Sequence, residues 1–174
     1  MRLFVAVSPP EEVLALVEAL PRPNLATLRW TTPDQWHVTL RFLGEVERWQ
    51  PVADTLRQIP AALREAGVEE TEAVLGPAVA WFSGRRILQV PVAGLEVLAA
   101  QVSSATVKWG GPPEPGPYAG HLTLARVRGQ GRGPASLAGT PIRAAWKVEK
   151  VVLVSSTLGS GGAHYEVLEG VPLP

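Results

Sequence analysis

Trp36-His37-Val38-Thr39-Leu40-Arg41-Phe42-Leu43-Gly44-Glu45 decides the reading of this chain, because its core returns 84 residues later as His121-Leu122-Thr123-Leu124-Ala125-Arg126. The chain has three histidines, and two of them open the same His-x-Thr-Leu phrase. From Gln35 to Leu43 the residues alternate, with Val38, Leu40 and Phe42 on one face and His37, Thr39 and Arg41 on the other. That is the period of a half-buried strand. Each copy therefore predicts a strand whose polar face presents histidine and threonine together.

Working outward, residues 2–7 read as a buried strand, followed by Ser8-Pro9-Pro10-Glu11, a capping-box pattern with proline at the first helical position. Val13, Leu16, Val17 and Leu20 fall at i, i+3, i+4 and i+7, which predicts an amphipathic helix ended by Pro21 and Pro23. A second helix is expected over 51–66, with Val52, Leu56, Ile59 and Leu63 inward, a kink at Pro60 and a stop at Gly67. Strands follow near 73–81 and 85–92, joined through Ser83-Gly84, then a helix at about 94–107 with Leu95, Leu98 and Val102 inward. Two Gly/Pro-rich loops, 110–120 and 128–140, flank the second motif strand at 121–127, and 142–156 and 164–168 supply closing strands. Both loops are long enough to carry function.

Sliding the chain by the His37–His121 separation puts Phe4 on Leu88, Glu12 on Glu96, Val13 on Val97 and Leu14 on Leu98. Each half then reads strand, helix, His-x-Thr strand. Two such halves pack about a pseudo-two-fold axis, with both polar strand faces lining one groove. The expected fold is α+β: two pseudo-symmetric lobes, each an antiparallel sheet with helices on its outer face, forming one domain over residues 1–174 with an internal duplication.

Composition narrows the classes of function. Lys plus Arg (16) equals Asp plus Glu (16), so the whole surface is not built to coat nucleic acid, and any such contact must be local. Cysteine is absent, which removes disulfides, thiolate metal sites and cysteine nucleophiles together and fits a cytoplasmic setting. The apolar run from Leu3 to Val7 is too short for a signal h-region, and no stretch has the length to cross a bilayer.

Two imidazoles and two hydroxyls are what acid/base chemistry at a phosphate needs. Opening a 2′,3′-cyclic phosphate at an RNA end requires one group to take a proton from water and another to give one to the departing sugar oxygen. Histidine, with an ordinary pKa of about 6.5, serves in either state. Thr39 and Thr123 lie two residues along the same strand faces, placed to donate to the oxygens that gain charge in the transition state. The motif histidines sit in different elements without a carboxylate cluster, a poor pattern for a hydrolytic metal centre, so neither metal nor cofactor is expected.

On these residues, and on the start Met1-Arg2-Leu3-Phe4-Val5-Ala6-Val7 and the tail from Val152-Leu153-Val154-Ser155-Ser156 through Gly162 to Tyr165, the chain resembles the two-histidine phosphoesterases of the RNA 2′,3′-cyclic phosphodiesterase (RNA 2′,5′-ligase) family. The resemblance implies a cleft between two α+β lobes. It also implies opening of cyclic phosphates to 2′-phosphomonoesters without metal or ATP, and reversible 2′,5′ ligation. Carried over by position, His37 and His121 are catalytic, with His37 leaning to acid and His121 to base, while Thr39, Thr123 and Arg126 hold the phosphate. Strict alternation turns Arg126 away from His121, so the strand must bulge or end there. Gly120 stands where the family often has proline before the second histidine.

Other residues have lesser claims. Arg41 shares the face of His37 in the alternating pattern and is a candidate to assist the phosphate. His164 lacks a threonine partner and reads as structural or exposed, and Tyr165 as a core tyrosine. Arg128 and Arg132 are candidates to track an RNA backbone, and Trp30, Trp36, Trp81, Trp109 and Tyr118 include possible base-stacking platforms. The expected partners are RNA ends or cyclic nucleotides, with no membrane, no obligate protein partner and a monomeric state. The alternatives are the same fold acting on another cyclic phosphate, such as ADP-ribose cyclic phosphate, or a nucleotide-binding module without catalysis.

Overall fold

The computed structural model describes residues 1–174. In chain order the elements are β1 (Arg2–Val7), α1 (Glu11–Glu18), β2 (Leu28–Trp30), β3 (Val38–Glu45), α2 (Gln50–Leu56), α3 (Ile59–Glu65), β4 (Glu72–Leu75), β5 (Ala80–Phe82), β6 (Ile87–Ala93), α4 (Glu96–Ala105), β7 (His121–Val127), β8 (Ala144–Lys147), β9 (Lys150–Gly159) and β10 (Gly162–Pro172). Single 3-10 turns lie at Pro33–Gln35 and Ala135–Leu137. No helix is long and apolar enough to cross a membrane.

All strand pairs are antiparallel, and the sheet order is β10-β9-β1-β3-β7-β6-β4-β8, with β2 added to β7 and β5 to β6. Read outward from the centre, β3-β1-β9-β10 forms one lobe and β7-β6-β4-β8 the other. The motif strands meet at one ladder pair, Val38 with Leu122. Both are fully buried. The helices cover the face opposite the cleft, where α4 packs on β3 and against α2 and α3. One cluster of 34 buried apolar residues runs through both lobes. A second of four, Phe4, Ala6, Val152 and Val154, lies under Tyr165.

Several expectations shift in detail. Helix α1 is capped by Pro10, whose carbonyl accepts from the Val13 and Leu14 amides, so Ser8 is too early to form the capping box. Val13 and Val17 are its buried residues, while Leu16 points outward. The expected helix over 51–66 is two short ones, with Pro60 in the first turn of α3, and its four inward residues are fully buried. Strand 73–81 is divided into β4 and β5, both of which pair with β6, with a cis Gly76-Pro77 bond in the segment between them. The stretch 142–156 is likewise broken, into β8 and β9.

Set against the 84-residue offset, the elements of the two halves shift by single residues. Phe4 lies opposite Phe42, and the residue opposite Arg126 is Ile87, so Phe4 corresponds to Ile87 and not to Leu88. Val13 is buried while Val97 is half exposed, so the helices match through Leu98. Connecting segments absorb these single-residue differences. Only the motif strands keep the original spacing.

Candidate active site

His37, Thr39, His121, Thr123 and Arg126 all line one open cavity of about 360 Å³ between the lobes. Its other lining residues include Arg2, Arg29, Phe4, Phe42, Trp30 and Tyr165, and no aspartate or glutamate faces it. No group of three or more His, Cys, Asp or Glu side chains is placed to hold a metal ion.

Both imidazoles are held the same way. His37 donates from Nδ1 to the Gln35 carbonyl at 2.7 Å, and His121 from Nδ1 to the Ala119 carbonyl at 2.9 Å. A carbonyl only accepts, so the proton sits on Nδ1 in each ring and Nε2 is left for chemistry. The Nε2 of His37 lies 3.1 Å from the Thr39 hydroxyl. Aromatic rings fix the imidazole planes: Phe4 at 4.7 Å and Tyr165 edge-on at 5.1 Å around His37, and Phe82 stacked at 5.2 Å on His121.

Burial, first of all, pushes the His37 pKa down to about 4, and the positive charges of Arg126 and His121 add to this, opposed only by the bond to the Gln35 carbonyl. His37 is therefore neutral at pH 7.

The strands carrying the motifs do not alternate strictly, and that shapes the site. In β7, Ala125 pairs with Leu88 and Thr123 with Gln89, leaving Leu124 as an extra residue. Leu124 and Ala125 are consequently both buried, and Arg126 returns to the cleft face. The bulge that the sequence required is present. The same shift occurs in β3, where Ala6 pairs with Thr39 and Val5 with Arg41.

That second bulge overturns the expectation for Arg41. Its side chain turns away from His37 into the interior, 4% exposed, and donates to the Ser103 carbonyl and the Thr106 hydroxyl at 2.8 Å and to the Gly111 carbonyl at 3.0 Å. Arg41 is a clamp joining β3 to the end of α4. Phe42 takes the cleft position instead, so Phe42 in one lobe stands where Arg126 stands in the other.

Each motif threonine is steadied by a hydroxyl from the opposite lobe's connection. Tyr118 donates to the Thr39 carbonyl at 2.9 Å, and Thr31 donates to the Thr123 and Leu124 carbonyls at 2.8 and 2.9 Å. Trp36 in turn donates from its indole to the Thr31 hydroxyl at 2.9 Å. Gly120 fits its place because a Cβ there would lie 2.4 Å from the Val92 carbonyl oxygen.

Of the remaining candidates, Tyr165 is a cleft residue rather than a core one, while His164 is exposed outside the cavity. Trp30 lines the cleft. Trp36 is buried, Trp81 covers Gly133, and Trp109 donates from its indole to the Thr55 hydroxyl, so these three build structure. Arg128 and Arg132 lie outside the cavity. Nothing local in the sequence marks Phe4 and Phe82 as site residues, because their ring contacts to the histidines arise between strands that only the tertiary fold brings together.

A bilobal antiparallel fold with His-x-Thr strands meeting at a carboxylate-free cleft defines a two-histidine phosphoesterase. A model of the LigT-like phosphoesterases matches residues 4–85. Among solved structures, the TT0787 protein of Thermus thermophilus is 32% identical with a TM-score of 0.76, the match covering 99% of this chain and 98% of that one. LigT of Escherichia coli in its apo form is 22% identical with a TM-score of 0.70, covering 99% and 96%. Its complex with 3′-AMP gives 22% and 0.71, covering 99% and 97%. No curated protein matches the sequence. The chain belongs to the LigT-like phosphoesterases, within the two-histidine phosphoesterase superfamily.

Proposed function

We propose that the protein opens 2′,3′-cyclic phosphates at RNA or nucleoside ends to 2′-phosphomonoesters, using its own side chains without metal or ATP, and that it joins ends through 2′,5′ linkages by the same chemistry. The observation that carries this reading is the matched pair of histidines, each with Nδ1 fixed to a backbone carbonyl and Nε2 left unengaged by the backbone, in one cavity with two threonines and Arg126.

In this reading the cyclic phosphate sits between the two rings. His121 takes a proton from the attacking water as the new P–O bond forms, and His37 gives a proton to the 3′ oxygen as its bond to phosphorus breaks. Thr39, Thr123 and Arg126 bind the non-bridging oxygens, whose charge grows in the transition state. His37 begins neutral, and the bound phosphate supplies the negative charge that counters Arg126 and loads the His37 ring with its proton. With a 5′-hydroxyl in place of water, ring opening joins two ends, and cleavage of that linkage runs with the histidine roles exchanged. The strained ring carries the activation, so no nucleotide triphosphate is consumed. One bilobal domain over residues 1–174 and a monomeric state are sufficient for this chemistry.

Incubation with a nucleoside 2′,3′-cyclic phosphate in EDTA, with product identification, tests the reading. The expected product is the 2′-monophosphate. Absence of turnover, turnover only with added metal, or a 3′-monophosphate product contradicts it. Faster turnover of ADP-ribose cyclic phosphate would redirect the substrate assignment, and tight nucleotide binding without turnover would make the protein a binding module.

A further inference from the structure

Arg29 and Arg126 stand directly opposite each other on β2 and β7. Both are exposed and both line the cleft. Like charges at such a cross-strand position repel, and a fold normally relieves them with a carboxylate. Here none is supplied: neither guanidinium takes part in the protein's salt bridges or side-chain hydrogen bonds, and no acid lines the cavity. The third cleft arginine differs: Arg2 lies over the Phe42 ring at 4.9 Å, so its charge is already met by an aromatic face.

The Arg29 guanidinium also lies against the backbone of Gly162 at the start of β10, where it leaves no room for a Cβ. The bulge at Leu124 leaves about two residues of strand rise between Thr123 and Arg126, ~7 Å along the cleft floor. A group bound between the arginines is thus one nucleotide's span from a phosphate bound at the threonines. Two fork-shaped donors with no internal acceptor suit the non-bridging oxygens of a phosphate.

We propose that Arg29, together with Arg126, forms a second phosphate subsite, for the phosphate on the 5′ oxygen of the terminal nucleotide, so that the cleft selects nucleotides and RNA chains over free nucleosides. This rests on the proposed reaction at the histidine pair and extends it by naming the residue that reads the next phosphate.

The test compares binding of adenosine 2′,5′-bisphosphate and adenosine 2′-monophosphate by calorimetry to the wild type, Arg29→Gln and a control, Arg128→Gln, whose side chain lies outside the cavity. The bisphosphate should bind about tenfold more tightly to the wild type, and to Arg128→Gln equally. Arg29→Gln should lose that advantage while binding the monophosphate within twofold of wild type. Equal wild-type affinity for the two ligands, an advantage that survives Arg29→Gln, or an equal loss for both ligands overturns the subsite. Because the readout is binding, it stands or falls separately from turnover of the cyclic phosphate.

Discussion

Val38 and Leu122, each one residue after a motif histidine, form the sole ladder pair between the two motif strands. The strands cross there in opposite directions, so continuing the register by one step sets His37 toward Thr123 and Thr39 toward His121. The apolar pair beneath them fixes the spacing.

Leu122→Ala should therefore be costly. The side chain is fully buried at the junction, and its truncation should lower stability by ~2–5 kcal/mol, measured by urea unfolding. A loss below about 1 kcal/mol would show that the junction tolerates a cavity and does not set the geometry.

Thr39→Val and Thr123→Val keep the β-branched shape and remove one donor each. Each should reduce kcat for cyclic phosphate opening on the order of 10²-fold with little change in unfolding midpoint. Thr31→Val should behave differently, because it strands the Trp36 indole and removes the bond to the Thr123 and Leu124 carbonyls. It should cost ~1–3 kcal/mol of stability. Parallel denaturation and steady-state assays separate the two patterns.

Arg41 is a buried clamp, and Arg41→Met should leave several carbonyls without their donor. Stability should fall by ~2–4 kcal/mol while KM for a cyclic nucleotide, measured below the unfolding temperature, stays within twofold. A selective rise in KM at unchanged stability would return Arg41 to the phosphate site.

The depressed His37 pKa has two consequences of fixed sign. The folded state resists protonating this ring, so its contribution to stability is intact above the unfolded pKa of about 6.5 and is lost as pH falls toward about 4. His37→Gln should lose less stability than wild type over that window. A bound phosphate raises the ring's pKa, so binding should take up protons and tighten as pH falls from 7 to 5.5, which calorimetry in buffers of differing ionisation enthalpy measures. Proton release on binding would reverse the assignment.

How far the sequence carries is best seen along β3 and β7. Alternation places His37, Thr39, His121 and Thr123 on cleft faces, since two residues of strand need no tertiary knowledge. It fails at Arg41 and Phe42, because a bulge is set by pairing with β1 and leaves no local mark. At Arg126 the same alternation conflicts with the family resemblance, and there the conflict itself locates the bulge. Tyr165 reads as a core residue for a related reason: its ring meets His37 only because β10 folds back beside β9 and β1. The split of the expected helix at Pro60, by contrast, follows from one residue whose missing amide is local.

The most direct test of a two-imidazole mechanism is the pH dependence of kcat/KM for a nucleoside 2′,3′-cyclic phosphate in EDTA, measured for wild type, His37→Ala and His121→Ala. A bell-shaped wild-type profile is expected, its two apparent pKa values belonging to the coupled pair. Each variant should lose most activity, and the residual rate of each should lack one limb, a different one in the two cases. A complete bell in either variant, or near wild-type activity after removing either ring, would contradict the account.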